Sequence, residues 1–152
     1  MKLMAFSTTG SVPSAEKMTA TPKAPATGSS VKVVEAEGFL FRPISCTRTA
    51  GKTICTIQFV NNGNDEREFN VVGQWSPPSY LYDNFGNQYP ITLQIGKQNA
   101  SNYIREKFVP QVPVNVQFIA EDVSPEASSV IITIGINTFK KSVAIRDIPI
   151  TR

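Results

Sequence analysis

The chain has no histidine, one tryptophan, two cysteines and apolar runs of only a few residues. Each shortage excludes something. Without histidine there is no Ser-His-Asp or Cys-His catalysis, no imidazole zinc ligand and no ordinary neutral-pH proton shuttle. Two cysteines cannot make a four-thiolate metal site. The short apolar runs exclude a membrane-spanning helix. Charge is also modest: 18% of 152 residues are charged and the net is +3, too little by itself to point to nucleic acid. The 41% of hydrophobic residues indicates a globular chain. Its length suits one domain, and a chain of this size buries roughly 70% of its unfolded surface.

The most informative stretch is Phe39 to Asn61, which reads as a β-hairpin with a polar tip at Thr49-Ala50-Gly51-Lys52. A two-residue loop at Ala50-Gly51 sets Arg48 opposite Thr53, Thr47 opposite Ile54 and Cys46 opposite Cys55. The cysteines then fall on a non-hydrogen-bonded pair, where Cα atoms approach to about 4.5 Å, which suits a disulfide. Two buried reduced thiols are the alternative. The same register predicts an inner face of Ile44, Cys46, Cys55, Ile57 and Phe59. Pro43 marks an edge or a bulge in the first arm. A lasting disulfide implies an oxidising setting, extracellular or on a virion surface, with periplasm or cell envelope as the alternative.

Residues 1–30 differ from the rest. They are rich in Ser, Thr, Ala and Pro and lack an apolar period. Leu3-Met4-Ala5-Phe6 is too short for the apolar core of a signal peptide, so no leader is expected to be removed. The segment reads as an extended arm without a core of its own. Phe6, Val12 and Met18 are its scattered apolar anchors, and Lys17 and Lys23 would meet acidic surface. Residues 31–152 carry the punctuation of an all-β domain. About eight strands are expected, with Asn62-Gly63 and Asp83–Asn87 as turns. Gly96–Lys107 reads as polar and irregular. Val114, Val116 and Phe118 are expected inward, facing Val130, Ile132, Ile134 and Ile136 on a central strand. Two stacked antiparallel sheets bury these alternating faces.

The set FLFRPISC, TICTIQFVNNGNDEREF, SYLYDNFGNQY, KFVPQVPVNVQF and VAIRDIPI resembles bacterial, largely cyanobacterial, immunoglobulin-like accessory domains. Those share a Cys-pair hairpin, an L-x-D-x-x-G-N-x-Y segment and a closing F-R-N-I-P-I. The likeness covers Phe39 to Ile150. It departs at Ile145 and Asp147, where the pattern has Phe and Asn. It implies an immunoglobulin-like antiparallel β-sandwich of secreted or envelope-associated type, and it brings no catalytic residues.

Asp83, Asn84, Gly86 and Asn87 could be read as a calcium loop, but one carboxylate among amides is turn chemistry first. The acid pairs Glu66/Glu68 and Glu121/Asp122 lack any sign of burial, so no enzyme is expected. No cofactor or metal is assigned. Trp75, Tyr80, Tyr82, Phe85 and Tyr89 cluster around a Pro-Pro break. Burial in the core competes there with a contact surface for protein or sugar, with core favoured. The basic end, Lys140, Lys141, Arg146 and Arg152, reads as a solvated edge. The functional expectation is therefore a non-enzymatic structural or interaction protein. Its concrete form is a decorating or cement component of a larger assembly, such as a phage capsid, attached through its arm. Partners would be protein subunits, including copies of itself as a homo-oligomer. The alternative is a secreted or envelope-associated module that binds a glycan or protein through its aromatic edge.

Overall fold

The computed structural model of the chain describes residues 32–152. They form an immunoglobulin-like antiparallel β-sandwich of twelve strands: β1 (Val34–Ala36), β2 (Phe39–Thr49), β3 (Lys52–Asn61), β4 (Arg67–Val72), β5 (Tyr80–Asp83), β6 (Gln88–Pro90), β7 (Thr92–Ile95), β8 (Gln98–Ala100), β9 (Tyr103–Phe108), β10 (Val114–Glu121), β11 (Ser129–Ile136) and β12 (Val143–Thr151). No helix among them is long and apolar enough to cross a membrane.

The first sheet has the order β1-β2-β3-β10-β7-β8. In the second, β11 lies between β12 and β5, β6 borders β5, and the end of β11 pairs with β4, which carries β9. Strand β12 joins the two layers. It runs antiparallel to β11 from Val143 to Pro149, then Ile150 and Thr151 pair in parallel with Cys46 and Thr47 of β2. Asp147, at φ 57°, sits in the irregularity that redirects the strand.

The hairpin register follows the tip. Ala50 and Gly51 both have positive φ, as a two-residue turn that matches strand twist requires. Cys46 faces Cys55 and the two are bonded, with Cα atoms 4.0 Å apart and both side chains fully buried. One expectation fails nearby. Ile44 is not on the inner face but 51% exposed, because the register shifts between Pro43 and Ser45. The inserted residue reverses the alternation, so Phe39 and Phe41 supply the buried side chains on the far side of the bulge.

Val130, Ile132, Ile134 and Ile136 of β11 are buried in one cluster with Val116, Phe118 and Leu93 of the opposite sheet, and Val114 packs against it half-buried. At one end of this core, Phe39, Phe69, Phe108 and Phe139 meet at centroid distances of 4.7–6.2 Å. The Arg67 guanidinium covers them, 5.0 Å from the Phe39 ring. Each such aromatic pair adds about 1 kcal/mol beyond area burial. The stretch expected to be irregular holds two strands, β8 and β9; β9 alternates Ile104 and Phe108 inward with Arg105 and Lys107 outward.

Candidate functional site

The aromatic region is built on the connection from β4 to β5. Strand β4 ends at Val72, and the chain makes a tight loop whose backbone is hydrogen-bonded at both ends. Gly73 N donates to Asn102 O at 2.7 Å, Gln74 N to Ser101 O at 2.8 Å, and Ser79 N back to Gly73 O at 2.7 Å. A side chain at Gly73 would lie 2.5 Å from Ser101 O, so the approach needs glycine. Ser79 is fully buried; its hydroxyl donates to Val72 O and accepts from Gly135 N at 2.8 Å. The loop is thereby fastened to both β4 and β11.

Trp75 projects from this fastened loop and is 59% exposed. The core position expected for it is overturned: the strand stops three residues earlier, so strand alternation no longer governs where the indole points. Its ring lies 5.1 Å from that of Tyr103, at 48°, on edge strand β9. Tyr103 is a partner the sequence reading missed. The alternation Tyr103, Arg105, Lys107 against Ile104 and Phe108 was the signal that marked it as outward-facing.

Tyr80 and Tyr82 form a separate pair, half-buried on the outer side of β5, with rings 6.2 Å apart. Gln88 Nε2 donates to the Tyr82 hydroxyl at 2.9 Å. Phe85 is exposed at the tip of the next turn. Tyr89 serves that turn instead. Asp83, 3% exposed, accepts from Phe85 N, Asn87 N, Asn87 Nδ2 and the Tyr89 hydroxyl at 2.8–3.0 Å. Burial alone would push the Asp83 carboxyl up, but the bonds from Asn87, Tyr89 and Phe85 together hold it below its ordinary value. Both carboxylate oxygens are thus engaged in closing the turn. The Tyr89 hydroxyl is pushed up, first by its burial.

A groove of about 600 Å³ lies between β1 and the start of β12, lined by Val34, Ala36, Phe139 and Val143 with Lys140 and Lys141 at its rim. Lys140 N donates to Glu37 Oε2 at 3.0 Å across it. The arm anchors Phe6, Val12, Lys17, Met18 and Lys23 lie outside the described residues.

No family model and no curated protein matches the sequence. Among solved structures the chain is similar to an uncharacterized beta-sandwich protein from Clostridium difficile 630. The identity is 12% over 76% of this chain and 89% of that one, with a TM-score of 0.42.

Proposed function

We propose that the protein is a non-enzymatic interaction module with two contact elements, the Trp75–Tyr103 pair and the arm formed by residues 1–30. The observation that carries this reading is the indole of Trp75, held outward on a loop whose backbone and Ser79 hydroxyl are already hydrogen-bonded. A large ring fixed before contact loses little conformational freedom on docking, which is how interface anchors behave. The partner we favour is protein, as a subunit of a larger assembly, with the decorating or cement role as its concrete form. What supports the arm is composition: scattered apolar anchors, lysines and prolines that limit the ordering cost of an extended path. The Cys46–Cys55 bond supports an oxidising location, extracellular, on a particle surface or in the cell envelope. Membership of the bacterial immunoglobulin-like accessory domains belongs to the same proposal.

The test compares the full chain, a deletion of residues 1–30 and Trp75→Ala in the native host. Both variants should melt like the full chain. The deletion should lose incorporation into the assembly, and Trp75→Ala should weaken it by roughly thirtyfold, the equivalent of one anchor residue worth about 2 kcal/mol. Occupancy equal to the full chain in both variants would overturn the proposal.

A further inference from the structure

The outer side of the first sheet carries a continuous row of neutral hydrogen-bonding side chains. Ser45, Thr56, Gln117, Gln94 and Asn99 are successive cross-strand partners on β2, β3, β10, β7 and β8. All five are half-buried or exposed, while their strand neighbours Cys46, Cys55, Phe118, Leu93 and Val116 point into the core. Adjacent strands lie 4.7–4.9 Å apart, so the row spans about 19 Å. A depression of about 410 Å³ opens along it, lined by Thr56, Gln94, Gly96, Asn115 and Gln117.

A solvated sheet face needs no such uniformity. The second sheet shows the ordinary pattern, where β4 and β9 face water with Glu68 3.4 Å from Arg105 and Glu66 4.0 Å from Lys107. The Ser45–Asn99 row has no charged member. Lys97 stands in the turn two residues before Asn99, and Arg42 is one row away and donates to Gln58 Oε1 at 2.8 Å; Gln58 in turn donates to Asn115 at 3.4 Å. That neighbouring row is tied to itself. In the Ser45–Asn99 row, among the described residues, Gln94 Nε2 reaches only the backbone oxygen of Gly96, at 3.3 Å. On the other flank Ile54 and Ile119 are paired and half-buried, an apolar strip beside the polar row.

We propose that this face is a second binding surface, for a neutral hydroxyl-rich glycan chain lying across the strands. A carboxamide offers both donors and acceptors, and so matches a sugar hydroxyl, which is also both. Two hydroxyls and three amides, spaced across five strands, meet several rings of an extended chain, and the Ile54/Ile119 strip meets their C–H faces. The neutral row gives a charged polymer no counter-ion. With no aromatic platform the contact per ring is weak, and strength comes from the number of rings engaged.

The test is native gel retardation of the full chain in gels containing a mixed-linkage β-glucan, a xylan or a glucomannan, with alginate as the acidic control. Retardation by at least one neutral polymer, not by alginate, is expected. Gln117→Ala, at the centre of the row, should weaken it by roughly tenfold. Thr56→Val, which keeps shape and removes the hydroxyl, should weaken it in the same direction, and both variants should melt like the full chain. No retardation by any of the three neutral polymers would overturn the proposal. So would retardation unchanged in both variants, or retardation lost only in Trp75→Ala, which would move the sugar contact to the aromatic pair.

Discussion

The Tyr89 hydroxyl donates to Asp83 Oδ2 at 2.8 Å and accepts from Ser124 N at 3.1 Å. One phenol oxygen thus links the turn after β5 to the loop between β10 and β11. The Asp83 carboxyl is held below its ordinary 3.8, so its contribution to stability is complete above that pH and declines as pH falls through the lower folded value. Asp83→Asn should cost about 2 kcal/mol at pH 7, because an amide nitrogen replaces one charged acceptor. The gap to the parent should narrow below about pH 4. Urea titrations at pH 7 and pH 3 check this, and an equal gap at both values would show that the charge is not the cause. Tyr89→Phe should cost about 1–2 kcal/mol, with Ser124 N and Asp83 each losing a partner.

Cys46 and Cys55 close a short loop, separated by nine positions, and both are fully buried. In the chain-entropy account that bond stabilises the fold by roughly 2.5–3 kcal/mol. Thiol titration of the unfolded, unreduced protein should find no reactive sulfur. Reduction under denaturing conditions should expose two per chain and lower the refolding midpoint by the corresponding amount.

Gly135 stands where the Trp75 loop crosses β11. A methyl group there would lie 1.8 Å from Pro77 O and 2.8 Å from Pro77 C. Gly135→Ala must displace the loop, so a loss of about 3 kcal/mol is expected in chemical denaturation. The displaced loop should also show as a changed Trp75 fluorescence maximum in the folded state. An unshifted maximum with parental stability would mean that the crossing is loose.

Ile134 lies at the centre of β11 with no exposed surface. Ile134→Ala should cost about 2–5 kcal/mol through the cavity it leaves. A loss below about 1 kcal/mol in calorimetry would contradict a packed central strand.

The hairpin and the central strand were legible because two simple constraints governed them. A two-residue tip fixes the register of every pair back to the Pro43 region, and near-continuous Val and Ile leave β11 no alternative to the interior. Pro43 signals an irregularity but not its parity, so strand alternation alone puts Ile44 on the wrong face. Strand β8 is three residues without an apolar side chain larger than Ala100, and the charges of β9 mask an alternation that only Ile104 and Phe108 mark. The exposure of Trp75 depends on the point where β4 stops, which composition around the Pro-Pro break does not reveal. The Ser45–Asn99 row was invisible for a different reason: its five members come from five strands and adjoin only after the sheet is assembled.

The parallel contact between the end of β12 and the middle of β2 has a mechanical meaning. Tension applied at the start of β2 and at the C-terminal residue pulls these two strands in opposite directions along their length. The hydrogen bonds between them, and the Thr151 hydroxyl bound to Cys46 O at 3.2 Å, then bear the load together and do not open one after another. The disulfide ties that same point of β2 to β3. A force-bearing clasp therefore sits where the disulfide also ties β2 to β3.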